Sequence, residues 1–270
     1  MNQQIICVVA RQRSGTTALR SMLAGTGRMR DFGEIFQNTA QAGSSSFFNF
    51  CRENKILLSD TVSAVDVATL CRRYVDHLKE AAGNKHVLID VKYNSWNVVR
   101  PAWHYIHEEP YFMAYLKKMR SIFIFLQRAD IVDQVISSYI AESNDKWHNL
   151  SLKEADVEKI EVDVKKARKE ARLICQSENL LWSFLRRYDK RLHFVYEILY
   201  KDGLLTDAAK TAIAKAVGEK LTFRPTSRIR KNDVDKTLAI RNYALVRKAV
   251  EEEIASIKRP KWPDFARSAI

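Results

Sequence analysis

Gln4-Ile-Ile-Cys-Val-Val-Ala10 runs directly into Arg11-Gln-Arg-Ser-Gly-Thr-Thr17 and then into Ala18-Leu-Arg-Ser-Met-Leu-Ala24. The first seven residues are almost wholly apolar and rich in β-branched side chains, as a strand buried on both faces of a parallel sheet requires. The last seven have the composition and spacing of a helix. Strand, glycine-containing polar turn, helix is the opening unit of a nucleotide-binding α/β fold.

Working outward, three later runs resemble the first. His86-Val-Leu-Ile-Asp-Val-Lys92 follows a helix-like stretch from about Val65 to Ala82, and Ser121-Ile-Phe-Ile-Phe-Leu126 follows another around Tyr111 to Met119. A fourth run, Leu192-His-Phe-Val-Tyr196, comes late. Strands alternating with helices imply right-handed crossovers and a mainly parallel sheet. The expected class is α/β: a P-loop-type three-layer fold with a mainly parallel central sheet of four to five strands flanked by helices. At 270 residues one core suffices. The chain reads as a single domain over 1–270, with a long helical segment at about 151–191 and a helical C-terminal extension. In that segment Ser151 and Glu154 have the spacing of a capping box. Val157, Ile160, Val164, Ala167, Ala171 and Ile174 then form one apolar stripe. The stripe either lies on its own domain or, through its heptad spacing, meets a second copy in a homodimer.

Hydrophobic residues make up 46% and charged residues 29%, a globular composition. No apolar run approaches the roughly 20 residues that span a bilayer, and the N-terminus lacks the features of a signal peptide. A cytoplasmic location without a transmembrane segment is expected. Lys plus Arg number 45 against 32 Asp plus Glu, a net charge of +13 that points to an anionic partner. Basic pairs such as Arg72-Arg73, Arg186-Arg187 and Lys190-Arg191 are dispersed and lack any helix-turn-helix, finger or RNA-binding pattern. No nucleic-acid partner is expected. Cys7, Cys51, Cys71 and Cys175 are scattered and read as reduced, mostly buried thiols. His104 and His107 sit three apart without further ligands at zinc spacing, so no metal is expected.

Ala10-x-x-x-x-Gly15-Thr16-Thr17 has the spacing of a phosphate-binding turn, but Thr16 stands where an ATP-binding loop carries lysine. Backbone N–H groups and the helix dipole can still cradle a phosphate. The ammonium that reaches the outer phosphates is missing, and Arg13 offers a different cation. Alone, the turn also fits a loop whose threonines merely cap a helix. A second constellation decides between them. Strand Ile122-Phe-Ile-Phe-Leu126 runs into Gln127-Arg-Ala-Asp-Ile-Val-Asp-Gln-Val-Ile-Ser-Ser-Tyr139. Asp130 suits an N-cap; Val132, Val135, Ile136 and Tyr139 suit a buried face; Asp130, Gln134 and Ser137 share a polar seam. Arg128 and Ser137 have the chemistry to hold a second phosphate. The plain alternative is a surface ion pair and a solvent-facing serine.

Together the two segments resemble those of sulfotransferases that use 3′-phosphoadenosine-5′-phosphosulfate (PAPS), most of all the bacterial trehalose-sulfotransferase-like, carbohydrate-acting type. Arg13 with Ser14-Gly-Thr-Thr17 is similar to the 5′-phosphosulfate loop, and Arg128 with Ser137 to the 3′-phosphate site. The likeness extends through Asp130, Val132, Gln134, Ala141 and Trp147, then to Asn179-Leu-Leu-Trp182-x-Phe184 and Tyr196-Glu197-x-Leu199. It covers about residues 4–37, 86–147 and 175–205. Gln12 departs from the Pro of many relatives, and Arg13 from the Lys of cytosolic small-molecule members; Arg there is usual among carbohydrate-acting ones.

The resemblance implies an enzyme that moves a sulfuryl group from PAPS to a hydroxyl of a carbohydrate or glycolipid, leaving the 3′,5′-bisphosphate. Its donor-holding residues would be Arg11, Arg13, Ser14, Gly15, Thr16, Thr17, Arg128, Ser137 and Tyr196, with Arg230 from the loosely similar Arg228-Ile-Arg-Lys231. Glu34, in the loop-like Asp31-Phe-Gly-Glu34-Ile-Phe36, would be the general base, with Asp31 as fallback. Arg13 would offset charge on the leaving oxygen. Lys92 would touch the sulfuryl oxygens or the acceptor, or simply form a strand-end ion pair. Aromatics at Phe47-Phe-Asn-Phe50 and from Tyr93 to Tyr105 are the expected acceptor pocket. The competing readings are a P-loop kinase of a small metabolite and a basic nucleic-acid-binding protein.

Overall fold

β1 (Ile5–Ala10) is buried along its whole length because both of its faces are apolar. Ile5, Cys7 and Val9 enter one layer of the core; Ile6, Val8 and Ala10 enter the other. The computed structural model describes residues 3–38, 45–57, 63–102, 108–143, 159–224 and 235–257. After β1 come α1 (Thr16–Ala24), β2 (Met29–Glu34), α2 (Phe47–Glu53), α3 (Ala64–Ala82), β3 (His86–Lys92) and α4 (Tyr111–Lys118). There follow β4 (Ile122–Gln127), α5 (Ile131–Ser143), α6 (Val164–Leu185), β5 (Arg191–Val195) and the one-turn α7 (Tyr196–Leu199). A small hairpin, β6 (Tyr200–Lys201) and β7 (Leu204–Leu205), leads to α8 (Asp207–Val217), α9 (Lys236–Ala239) and α10 (Tyr243–Ser256).

The central sheet has five strands in the order β2-β3-β1-β4-β5, all parallel, so the chain is α/β with helices over both sheet faces. After β1 the chain moves to one side for β2 and β3, then crosses to the other for β4 and β5. Such a reversal opens a crevice at the carboxyl ends of the strands, where open α/β sheets bind ligands. Register sharpens the point: Ala10 pairs with Lys92 on one side and Leu126 on the other. The turn after β1, Lys92 and Arg128 therefore emerge level with one another.

Local chemistry explains the helices. Ser63 and Asp66 form a reciprocal capping box on α3, worth about 1 kcal/mol. Val67, Leu70, Cys71, Tyr74, Val75 and Leu78 then present one apolar stripe to the sheet, each contributing roughly 1.5–3 kcal/mol by burial. With α2, α4 and the end of α6, α3 covers one face; α1 and α8 cover the other. A third cluster joins α5, α6 and α10. All four cysteines are buried. Among the described residues no helix is long and apolar enough to cross a membrane.

Three expectations need correction. The Asp31–Glu34 stretch is not a loop: it closes β2, the edge strand. Its charges and glycine hide a strand that pairs on one side only and breaks register between Asp31 and Glu34. The long helix expected over 151–191 is shorter. Asp163 caps it by accepting hydrogen bonds from Lys165 and Lys166 N–H, and Ile160 instead bridges to Ile240. Ser151, Glu154 and Val157 lie outside the described residues. The remaining stripe, Ala167, Ala171 and Ile174, packs on this chain's own α5 and α10. Finally, Phe47, Phe50, Tyr93 and Trp96 are buried in the core, where Phe47 and Phe50 pack against Tyr74 and Tyr93 stacks on Trp96. Tyr105 and the other aromatic of 103–107 lie outside the described residues.

Candidate functional site

The turn between β1 and α1 is held by side chains from three later elements. Gln134 Nε2 on α5 donates to the Gln12 carbonyl (2.8 Å) and to Ser14 Oγ (2.9 Å). Arg128 Nη1 donates to the Arg13 carbonyl at 2.9 Å, and the Tyr200 hydroxyl to the Gly15 carbonyl at 3.2 Å. Two residues of the turn are left-handed: Arg13 (φ 63°) and Gly15 (φ 80°). For arginine that conformation costs about 1–2 kcal/mol, which the surrounding hydrogen bonds offset. Gly15 is required for a second reason. The Tyr196 ring lies against it so closely that a Cβ would stand 2.4 Å from Cε2. Gly15 caps α1 without a side chain, so the N–H groups of the first turn take no side-chain cap. This is the arrangement that suits an anion.

Beside the turn sits a buried ionic cluster. Lys92, 3% exposed, donates from Nζ to Thr16 Oγ1 (2.6 Å) and to Asp90 Oδ2 (2.7 Å), and lies 3.4 Å from Glu34 Oε1. An ammonium thus reaches the loop position that lacks lysine, delivered from β3. Arg20 on α1 grips both Asp31 oxygens at 2.8 Å, and its Nε lies 3.3 Å from Asp90. Burial pulls the Arg20 pKa down, but Asp90 and Asp31 more than offset it, so the guanidinium titrates above its ordinary value. Asp31 also accepts from Gly33 N–H (2.9 Å), at the register break that turns Glu34 toward Lys92. Asp31 and Glu34 are both partly exposed; Asp31 is clamped by Arg20, and Glu34 faces Lys92.

A second station lies at the end of β4. Arg128 stacks over the Tyr196 ring with 5.0 Å from Cζ to centroid, and Nε lies 3.8 Å from Glu197. Glu197 accepts from the N–H groups of Ala129 (2.9 Å) and Asp130 (3.1 Å). Asp130 Oδ1 in turn accepts from Asp133 N–H at 2.7 Å, in the N-cap role expected of it. Arg128 also pairs with Asp133, and so does Lys236, the first residue of α9. Lys236 Nζ donates to Ser137 Oγ at 2.8 Å. Burial lowers the pKa of Arg128, as it does that of Arg13, which the nearby Arg128 charge lowers further.

Of the residues expected from sequence, Arg13, Ser14, Gly15, Thr16, Arg128, Ser137, Tyr196, Lys92 and Glu34 come together in this crevice. Thr17 is exposed on the first turn of α1. Arg11 turns toward α6, 3.8 Å from Glu170. Arg230 and Trp147 lie outside the described residues. Sequence reading missed Arg20, Asp90, Asp133 and Lys236. Asp90 and Lys92 had a signal: two charges on one face of an otherwise apolar strand must find partners. Lys236, 99 residues from Ser137, had none.

Among the described residues there is no group of three or more His, Cys, Asp or Glu side chains that could hold a metal ion. No protein-family model matches the sequence, and no curated protein matches it either.

Proposed function

We propose that the protein transfers a sulfuryl group from PAPS to a hydroxyl of a carbohydrate or glycolipid. One observation carries the reading: the two anion stations adjoin, joined by the Arg128 hydrogen bond to the Arg13 carbonyl and by Gln134 to Ser14. A donor with a 5′-phosphosulfate and a 3′-phosphate needs two cationic stations side by side, and ATP does not. The residues fit that donor in another way. Arg128 and Lys236, the latter also bonded to Ser137, already pair with a carboxylate, Asp133, which has the charge and oxygen pair of part of a phosphate.

In this reading Arg13 and the N–H groups of Ser14 to Thr17 hold the 5′-phosphosulfate, and Arg128 with Ser137 the 3′-phosphate. Glu34 accepts the proton of the acceptor hydroxyl as its oxygen bonds to sulfur and the bond from sulfur to the phosphate oxygen breaks. Arg13 and Lys92 offset the charge left on that oxygen, so the catalysis is chiefly positioning and electrostatics.

A kinase of a small metabolite is the second reading, and the Lys92 ammonium at Thr16 favours it. Against it, the neighbouring Asp90 carboxylate is buried and pairs through Oδ2 with both Lys92 and Arg20, whose charges oppose a Mg²⁺ ion there. A thermal-shift assay separates the two. Adenosine 3′,5′-bisphosphate at 100 times its Kd, without Mg²⁺, should stabilise by about 2.7 kcal/mol. Stabilisation by Mg²⁺–ATP alone defeats the sulfuryl-transfer reading. Sugar acceptors are then screened with radiolabelled donor. Arg128→Ala should raise donor KM and Arg13→Ala should lower kcat; parental rates in both variants overturn the assignment.

A further inference from the structure

We propose that Asp133 is a resident counter-anion that sets the grip of the Arg128 station on phosphate. The inference rests on the donor reading above and adds to it a residue that opposes binding. Asp133 is 23% exposed and touches both cations of the station, Arg128 and Lys236, while Lys236 also donates to Ser137 Oγ at 2.8 Å. The carboxylate therefore occupies the point on which the station's donors converge. A phosphate oxygen placed there must displace it.

The charge count shows why this matters. Arg128 and Lys236 supply two positive charges; Asp130, Asp133 and Glu197 supply three negative ones. The station carries a formal charge of −1 while Asp133 stays seated, and an incoming dianion gains little Coulombic attraction. Glu197 and Asp130 cannot be the mobile partners, because they hold the backbone N–H groups that open α5. Asp133 carries no such duty through its side chain. Once its carboxylate swings toward solvent, Arg128 and Lys236 are left facing the anion with their full charge. The carboxylate's return favours release of the bisphosphate, a step that often limits turnover.

The test is calorimetric titration of the intact chain with adenosine 3′,5′-bisphosphate and with adenosine 5′-monophosphate, which lacks the second phosphate. Asp133→Asn and Asp133→Ala should each tighten the bisphosphate about tenfold, or 1.4 kcal/mol, and leave the monophosphate within twofold. Lys236→Met should weaken the bisphosphate alone. If the parent prefers the bisphosphate and both Asp133 variants bind it equally or more weakly, Asp133 is an organiser of Arg128, and the inference is overturned while the donor reading stands. If parent and variants alike show no preference for the 3′-phosphate, both fall. A preference that emerges only in the variants supports the counter-anion.

Discussion

Asp90→Asn changes almost no volume and removes one charge from the centre of the buried cluster. The Asp90 side chain is fully buried, 2.7 Å from Lys92 Nζ and 3.3 Å from Arg20 Nε. Breaking a buried ion pair costs roughly 3–5 kcal/mol, chiefly because the remaining charge is left without compensation. Here neither cation is left alone: Arg20 keeps Asp31 at 2.8 Å, and Lys92 keeps Glu34 at 3.4 Å. The expected loss is therefore at the low end, about 3 kcal/mol. A melting entropy of about 2.1 cal/mol/K per residue over 270 residues converts that loss into a drop of about 5 °C in Tm. Scanning calorimetry at pH 7 on the parent, Asp90→Asn, Lys92→Met and the double variant reads both quantities. The double variant should lose less than the sum of the single losses, since each partner's removal relieves the other's absence. A melting point within 1 °C of the parent in Asp90→Asn, or additivity within about 0.5 kcal/mol, refutes the cluster.

Gly15→Ala forces a left-handed alanine, at about 1–2 kcal/mol, and its new Cβ would collide with the Tyr196 ring and drive it away. Bisphosphate affinity measured by titration should fall along with Tm; parental values of both would show that the ring does not seat the loop. Burial lowers the His193 pKa to about 4 from 6.5. The unfolded chain therefore takes up the proton first, and about 3 kcal/mol of stability present above pH 6.5 is lost as pH falls toward 4. Urea midpoints across that range should lose part of their slope in His193→Gln, and an unchanged slope discounts the histidine. Trp96→Ala, 5% exposed and stacked on Tyr93, should cost about 3–5 kcal/mol as a core truncation. Intact stability with only acceptor affinity lost would return Trp96 to a binding pocket.

The parallel sheet was legible in residues 5–10, 86–92 and 122–127 because a strand buried on both faces must be apolar throughout, and that is a local property. The glycine turn and the Arg128–Ser137 helix were legible for the same reason: cap, turn and seam are read within a few residues. β2 was not, since an edge strand with one partner tolerates charge and a glycine break. Nor did the sequence say which charges meet. Lys92 reaches Thr16 across 76 positions, and Lys236 reaches Ser137 across 99. The residue types along the chain determined the elements and the chemistry on offer. Only the tertiary structure decided the pairing of charges, because ion pairs form between side chains that strand register and helix packing bring within a few ångströms, whatever their distance in sequence.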